Sequence, residues 1–365
     1  MSAIDLSFNA TSRATPKSLA GEFTADKGSL FVKQILVRAA VLTAYFDVAR
    51  ELNFNPTPAL RRAGLRRAML RDPDQRIPAN AALDLLESSA LLSGFTAWGL
   101  RMAELRQLSD FGGVSLLISH QRTLRDAISA TIRFRHLLNE SLAMKIEESG
   151  GSAVIREELM SERPQRQAIE LAIGVLMRMC ASVLGGSWRP RRVWFAHGAP
   201  TDLAVHRRVF PCGVDFDSEC NGIVCAAADL DALNPRADSV MARHAQQFVE
   251  MLPQLESTSI GLEVRRAIYL GLPAGNATIE CVAESLGLSP RTLQRQLGAA
   301  GASFAELLND VRRQMARRYV ESSDYPIGRI AELLGYATHS SFSRWYVAQF
   351  GVAALHERGR RGTPR

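Results

Sequence analysis

The sequence predicts an α+β domain, a helical half plus a small antiparallel sheet, followed by an all-α domain built on two helix-turn-helix units. Three observations carry this expectation. At 365 residues the chain is too long for one compact core. Apolar residues recur at helical spacing up to about Leu138 and then alternate, the order expected of an α+β fold. The last hundred or so residues also contain an internal repeat.

Taken in order, residues 1–29 are rich in Ser, Thr, Ala and Gly, contain Pro16 and show no sustained period, so a mobile tail is expected. From about Phe31 to Leu138, the sets Ile35, Leu36, Ala39; Ala82, Leu83, Leu86; and Leu124, Ala127, Ile128, Ile132 predict helices, punctuated by Pro56, Pro58, Pro73 and Pro78. Leu142, Met144 and Ile146 then alternate with small or polar residues, Gly150-Gly151 supplies a turn, and 152–158 resumes the extended pattern. That is a hairpin signal. Residues 165–185 read as a helix rich in Ala, Ile, Leu and Met. Arg191–His197 and Val214–Cys225 read as strands, with Asn221-Gly222 as a turn. A last amphipathic stretch (Val240, Ala242, Phe248, Val249, Leu252) leads to Pro253 and a polar patch. The boundaries follow: a domain over 30–252, a linker over 253–258 and a second domain over 259–365.

Composition narrows the class. Hydrophobic residues at 47% and charged residues at 22% are ordinary for a globular protein. No stretch approaches the roughly 20 uncharged apolar residues that span a bilayer. The best candidate, Ile35 to Phe46, is short and carries Arg38, and no basic-then-apolar signal peptide opens the chain, so a cytoplasmic protein without membrane contact is expected. Five cysteines do not suggest a disulfide framework. Cys212, Cys220 and Cys225 cluster downstream of His197 and His206, but no CxxC pair exists and the spacing fits no standard zinc pattern. Free, partly buried thiols are expected there, and no metal.

Charge is informative through its placement. From Ser257 to Arg365 there are 14 arginines, no lysine and 9 acids, a net of 14 − 9 = +5 out of +7 for the whole chain. Concentrated basicity suggests a polyanion partner, because cationic side chains displace counterions from phosphate backbones.

The repeat lies within this basic segment. Val282-Ala-Glu-Ser-Leu-Gly-Leu288 recurs 48 positions later as Ile330-Ala-Glu-Leu-Leu-Gly-Tyr336. Leu293-Gln-Arg-Gln-Leu297 recurs at an offset of 49 as Phe342-Ser-Arg-Trp-Tyr346, and Gly301 finds Gly351 at an offset of 50. Offsets that grow by one at each loop mean that helices are kept while turns differ. Each copy holds the parts of a helix-turn-helix: a short helix with an apolar pair, a glycine to end it, and a capped second helix. Ser289 and Pro290 suit the start of one second helix and Thr338 that of the other. Leu293 and Leu297, and Phe342 and Tyr346, should face the core. Arg291, Gln294, Arg295 and His339, Ser340, Ser343, Arg344 then point outward, where such groups can donate to base edges and phosphates.

Other classes lack their signatures. There is no P-loop, no dinucleotide-binding glycine run after a strand, no HExxH and no nucleophile elbow, and no reactive-cysteine run surrounds any cysteine. No enzyme and no cofactor is therefore expected. The alternative is a DNA-binding module fused to an unrecognised enzymatic domain. An architectural DNA-binding protein would need no large second domain.

The segment Ile330-Ala-Glu-Leu-Leu-Gly-Tyr-Ala-Thr-His-Ser-Ser-Phe-Ser-Arg-Trp-Tyr-Val-Ala-Gln-Phe-Gly351 resembles the signature of the AraC/XylS family of bacterial transcription regulators. The resemblance implies a seven-helix module in which a long helix, here about Phe304–Glu321, separates the two units and carries Arg312. It implies contacts to double-stranded DNA from Arg291, Thr292, Gln294, Arg295, His339, Ser340, Ser343 and Arg344. After the last glycine the family continues with Ser/Thr-Pro and an aromatic residue, whereas this chain has Ala353-Ala354 and Glu357, implying a softer start to the final helix.

Residues 35–250 are similar to the ligand-binding domain of the ornithine-utilisation branch of that family. The similarity lies at Met69–Pro78, Thr123–Ile128, Pro190–Pro200 and Phe210–Phe216, though Pro211 and Gly213 reverse the family's usual order. This implies a small-molecule effector, a homodimer through the N-terminal domain, RNA polymerase as a partner and activation rather than repression. Arg133, Arg135 and His136, a polar cluster on a predicted helix, are the residues expected to meet an anionic effector.

Overall fold

A computed structural model describes residues 35–163, 165–252 and 259–359. The expected tail (1–29) and linker (253–258) lie outside the described residues. The chain opens with β1 (Leu36–Arg38), which pairs antiparallel with β2 (Arg76–Pro78). Between them lie α1 (Tyr45–Glu51) and α2 (Thr57–Arg62), and α3 (Ala79–Ser93), α4 (Trp98–Leu105), α5 (Gly113–Ser119) and α6 (Leu124–Arg133) follow. Thr123 caps α6 by accepting from the Asp126 N–H. The helical spacing expected from Ile35 is a strand and a 3-10 turn instead, because Leu36–Arg38 finds a ladder partner in Arg76–Pro78, 40 positions downstream in sequence.

The hairpin forms as expected: β3 (Leu142–Ser149) pairs antiparallel with β4 (Ser152–Leu159), Ile146 opposite Ile155. After α7 (Arg166–Leu184) come β5 (Arg192–Trp194), α8 (Ala204–Val209), β6 (Gly213–Asp215), β7 (Gly222–Ala226), α9 (Ala227–Leu230) and α10 (Ser239–Met251). The sheet runs β3-β4-β7-β5-β6 and is mixed rather than purely antiparallel, since β5 and β6 are parallel. Asn221-Gly222 is not a turn. Gly222 sits in β7 opposite both Arg156 and Trp194, and a Cβ there would lie 2.7 Å from the Ile155 carbonyl oxygen. A close backbone approach, not chain reversal, is what requires this glycine.

The most apolar long segment is α7, not Ile35–Phe46. Its length and hydropathy would suffice for a bilayer, but 61% of its most apolar window is buried, packed against α3 and α4 in the first core. That core runs from Val37 to Val249 and includes Tyr45, Trp98, Phe195 and Phe210.

The remaining helices are α11 (Ile260–Gly271), α12 (Ile279–Ser285), α13 (Pro290–Ala299), α14 (Phe304–Ser322), α15 (Ile327–Leu333), α16 (His339–Phe350) and α17 (Ala354–Gly359). They enclose a second core from Val264 to Ala354, to which Met160, just past β4, is added. The long α14 opens on a reciprocal capping box, Ser303 with Glu306. Arg265 and Tyr269 of α11 reach Asp310 and Gln314 on α14 at 2.5 Å each. On α17, Glu357 accepts from the Tyr346 hydroxyl of α16 at 2.5 Å, which holds the last helix in place without the family's Pro-aromatic start.

Candidate nucleic-acid interface

The two repeat copies make the same turn from the same bonds. In the first, the N–H of Gly287 donates to Glu284 O at 2.9 Å and that of Leu288 to Ala283 O at 2.8 Å. In the second, Gly335 donates to Glu332 O and Tyr336 to Ala331 O, both at 2.9 Å. Gly287 and Gly335 sit at φ +67° and +72°, a left-handed conformation in which a side chain is strained. The caps match as well. Ser289 Oγ accepts from the Thr292 N–H and Thr338 Oγ1 from the Ser341 N–H, both at 3.1 Å. Leu293 and Leu297 of α13, and Phe342 and Tyr346 of α16, are buried as expected.

With these faces inward, Arg291, Gln294 and Arg295 on α13 and His339, Ser340 and Arg344 on α16 are exposed, while Thr292 and Ser343 are half-buried. The Thr292 hydroxyl is engaged by the cap residue Ser289 at 2.9 Å. Among the described residues, Arg291, Arg295 and Arg344 form no ion pair, whereas Arg329 one helix earlier holds both Glu332 and Glu219. Unpaired guanidinium groups on a capped helix face are free to meet a polyanion. Arg312 of α14 donates from Nε to Leu334 O at 3.0 Å and lies over the Tyr336 ring, closing the C-terminal end of α15. Trp345 Nε1 on α16 donates to Asn309 Oδ1 of α14 at 2.8 Å, which ties α16 to the long helix.

The expected effector cluster is dispersed. Arg133 is largely exposed and pairs with Glu250 at 2.9 Å, and the His136 ring lies tilted at 44° to that of Phe134, 6.3 Å away. Arg135, in a 3-10 turn after α6, bonds Glu263 of α11. Of the three, only Arg135 lines the internal cavity, about 130 Å³, bounded by α3, α7, β3 and β4. The walls include Leu83, Leu86, Val175 and Met179. Four buried polar residues that sequence reasoning missed also line it, Thr131, Ser141, Arg106 and Glu157. Arg106, 8% exposed, donates from one guanidinium nitrogen to Val41 O at 3.0 Å, but its Nε has no hydrogen-bond partner. Glu157, 2% exposed, has Oε2 without a partner, and burial alone pushes its carboxyl up to about 8. His197 and His206 do not join the cysteines; their Nε2 atoms lie 3.5 and 3.2 Å from Oε1 of buried Glu170. Burial pushes the Cys212 and Cys220 thiols up to about 11 and Cys225 to about 12.

Strand alternation carries β4 from the cavity to the helical module. Ala153, Ile155, Glu157 and Leu159 face the first core. On the other face Arg156 donates to Leu270 O of α11 at 2.9 Å, Glu158 lies 3.5 Å from the Arg318 guanidinium of α14, and Met160 enters the second core. Elsewhere Arg266 of α11 donates to Glu140 O at 2.8 Å. The Tyr325 hydroxyl, just ahead of α15, points at two backbone carbonyls, Ser218 O at 2.6 Å and Ala196 O at 3.3 Å.

Comparison with known proteins agrees with both halves. Residues 54–233 match the family described as the arabinose-binding domain of AraC transcription regulator, and residues 282–360 match a helix-turn-helix domain. The HTH-type transcriptional regulator VirS of Mycobacterium tuberculosis is 27% identical over 87% of this chain and 94% of its own. The ornithine utilization regulator of Pseudomonas aeruginosa is 24% identical over 85% and 92%. The crystal structure of the transcriptional regulator CdpR from Pseudomonas aeruginosa aligns over 85% of this chain at 20% identity, with a TM-score of 0.40.

Proposed function

The chain belongs to the AraC family of transcription regulators, and from that premise we propose that it is an effector-responsive activator reading two successive major-groove segments with α13 and α16. The observation that carries this reading is the pair of turns built from equivalent hydrogen bonds, each presenting a capped helix with arginine that forms no ion pair among the described residues, Arg291 and Arg295 on one and Arg344 on the other. Arg291, Gln294 and Arg295 would serve one segment, and His339, Ser340, Ser343 and Arg344 the other. Thr292, half-buried and bonded to its cap, would contribute through its hydroxyl oxygen to the first segment. The regulatory domain spans 30–252 and the DNA-binding domain 259–365, joined by 253–258. The first would take the effector and pair two copies; Val240, Met241, Phe248 and Met251 along α10 are exposed apolar residues that support self-association. RNA polymerase would be the further partner at a promoter in the cytoplasm, and the chain would have no catalytic activity.

Footprinting of the full chain across its neighbouring promoter tests this. The expected result is two protected blocks one helical turn apart on one DNA face, with about 10³-fold or greater preference over random duplex. Continuous protection without preference would overturn it.

A further inference from the structure

We propose that the cavity between α3, α7 and the β3–β4 hairpin binds a small apolar monocarboxylate whose carboxylate is held by Arg106. This rests on the reading of residues 30–252 as an effector domain and names the chemistry of its ligand.

The argument starts from charge. Three arginines line the cavity, and two of them have close carboxylate partners: Asp74 lies 2.5 Å from Arg38, and Glu263 bonds Arg135. Arg106 has only Asp110, at 3.7 Å with no hydrogen bond between them. That contact is made by its Nε, which is buried and forms no hydrogen bond. A guanidinium in apolar surroundings with an idle donor is the complement of an anionic oxygen. Desolvation and the neighbouring Arg38 pull Arg106 down to about 10, so it remains cationic at neutral pH.

Two carboxyl groups also line the wall: Asp110, which Arg106 faces at 3.7 Å, and Glu157, which does not oppose an anion. Glu157 is neutral at pH 7, no charged side chain offsets its burial, and it interacts electrostatically with the buried Cys180 thiol of α7. A protonated carboxyl donates a hydrogen bond, so it can serve an acceptor on the ligand. Most of the remaining wall is hydrocarbon, from Leu83, Leu86, Val175 and Met179 among others, with Thr131, Asn139 and Ser141 as further polar residues. A cavity of about 130 Å³ is close to the size that accommodates one benzene ring, so the ligand has about six to ten non-hydrogen atoms.

The test is calorimetry and thermal melting of the full chain with three matched series: hexanoate and benzoate, hexanol and benzyl alcohol, hexylamine and benzylamine. The carboxylates should bind and raise the melting temperature, each about tenfold or more tighter than its alcohol, the discrimination expected of a charge-assisted hydrogen bond. Arg106→Met should erase that advantage and leave alcohol binding unchanged. Should Arg106→Met fail to fold, Arg106→Lys should weaken carboxylates by about tenfold, because a point charge replaces the guanidinium fork. Amines or alcohols binding as tightly as the acids would overturn the carboxylate, as would undiminished acid binding in either variant. No binding in any series, with Val175→Phe melting as the parent does in all of them, would instead remove the cavity as an effector site. Two-block promoter protection is measured separately, and its outcome does not depend on this one.

Discussion

Glu157 and Glu158 are adjacent on β4 and face opposite sides of the sheet, one lining the internal cavity and the other lying 3.5 Å from Arg318 of the helical module. Both are 2% exposed. Any displacement of the strand at Glu157 therefore reaches Arg318 within one residue. Arg135 makes a second short link, since it lines the same cavity and bonds Glu263 of α11.

Glu158→Gln should destabilise the chain by about 3–5 kcal/mol, because it leaves the buried Arg156 and Arg318 without the carboxylate between them. Gln keeps the volume, so the loss reports charge rather than a cavity. Urea titration at neutral pH measures it. A loss below about 1 kcal/mol, the scale of an exposed pair, would show that the cluster is solvated.

Glu157→Gln should change how stability depends on pH. The folded carboxyl titrates near 8, above its ordinary value of 4.5, so the folded state holds a proton that the unfolded state has released. The sign follows: the native chain loses stability as pH rises from about 4.5 through 8, and the variant, which cannot ionise, escapes that loss. Melting temperatures of the two should converge near pH 4.5 and separate by pH 8.5, with the variant higher. Parallel curves would place the carboxyl in contact with water.

Arg295→Ala and Arg344→Ala should each weaken operator binding by about 1–3 kcal/mol and relax specificity in one half of the site only. The long α14 lies between the two helices in the chain, and on the proposed reading they would enter successive grooves about 34 Å apart. Binding to operators randomised in one half at a time, across a salt series, separates base reading from phosphate contact. Equal loss on every sequence, with a salt slope lower by about one, would make both arginines backbone anchors.

Ser289→Ala and Thr338→Ala should cost about 1 kcal/mol each, since both hydroxyls accept a backbone N–H at 3.1 Å in equivalent places. Thermal denaturation of the two variants is the measurement. A negligible effect at one site alone would break the equivalence of the two units.

The helical module was legible because its information is local. The glycines at φ > 0, the caps and the buried pairs at four-residue spacing all lie within a few positions of each other, twice over, and the structure places each as expected. The regulatory domain was legible only where it is local, as in the β3–β4 hairpin. Its sheet inserts β7 between β4 and β5, an order that no short pattern encodes, and Asn221-Gly222 imitates a turn while serving a crowded ladder. The cavity draws Arg106 from the end of α4 and Glu157 from β4, about fifty positions apart, with nothing in either neighbourhood to mark them. Reading charge along one helix favoured Arg133, Arg135 and His136, yet two of these point away from the cavity toward Glu250 and Phe134.

The Tyr325 hydroxyl addresses peptide oxygens of Ser218 and Ala196 rather than side chains. Every amino acid supplies such an oxygen, so this attachment is indifferent to which residues occupy those two positions. A regulatory domain can thus change its side chains around positions 196 and 218, and with them its chemistry, without surrendering its hold on the second reading unit. Interchange of regulatory domains between related chains needs the path of that loop to be retained and not its spelling.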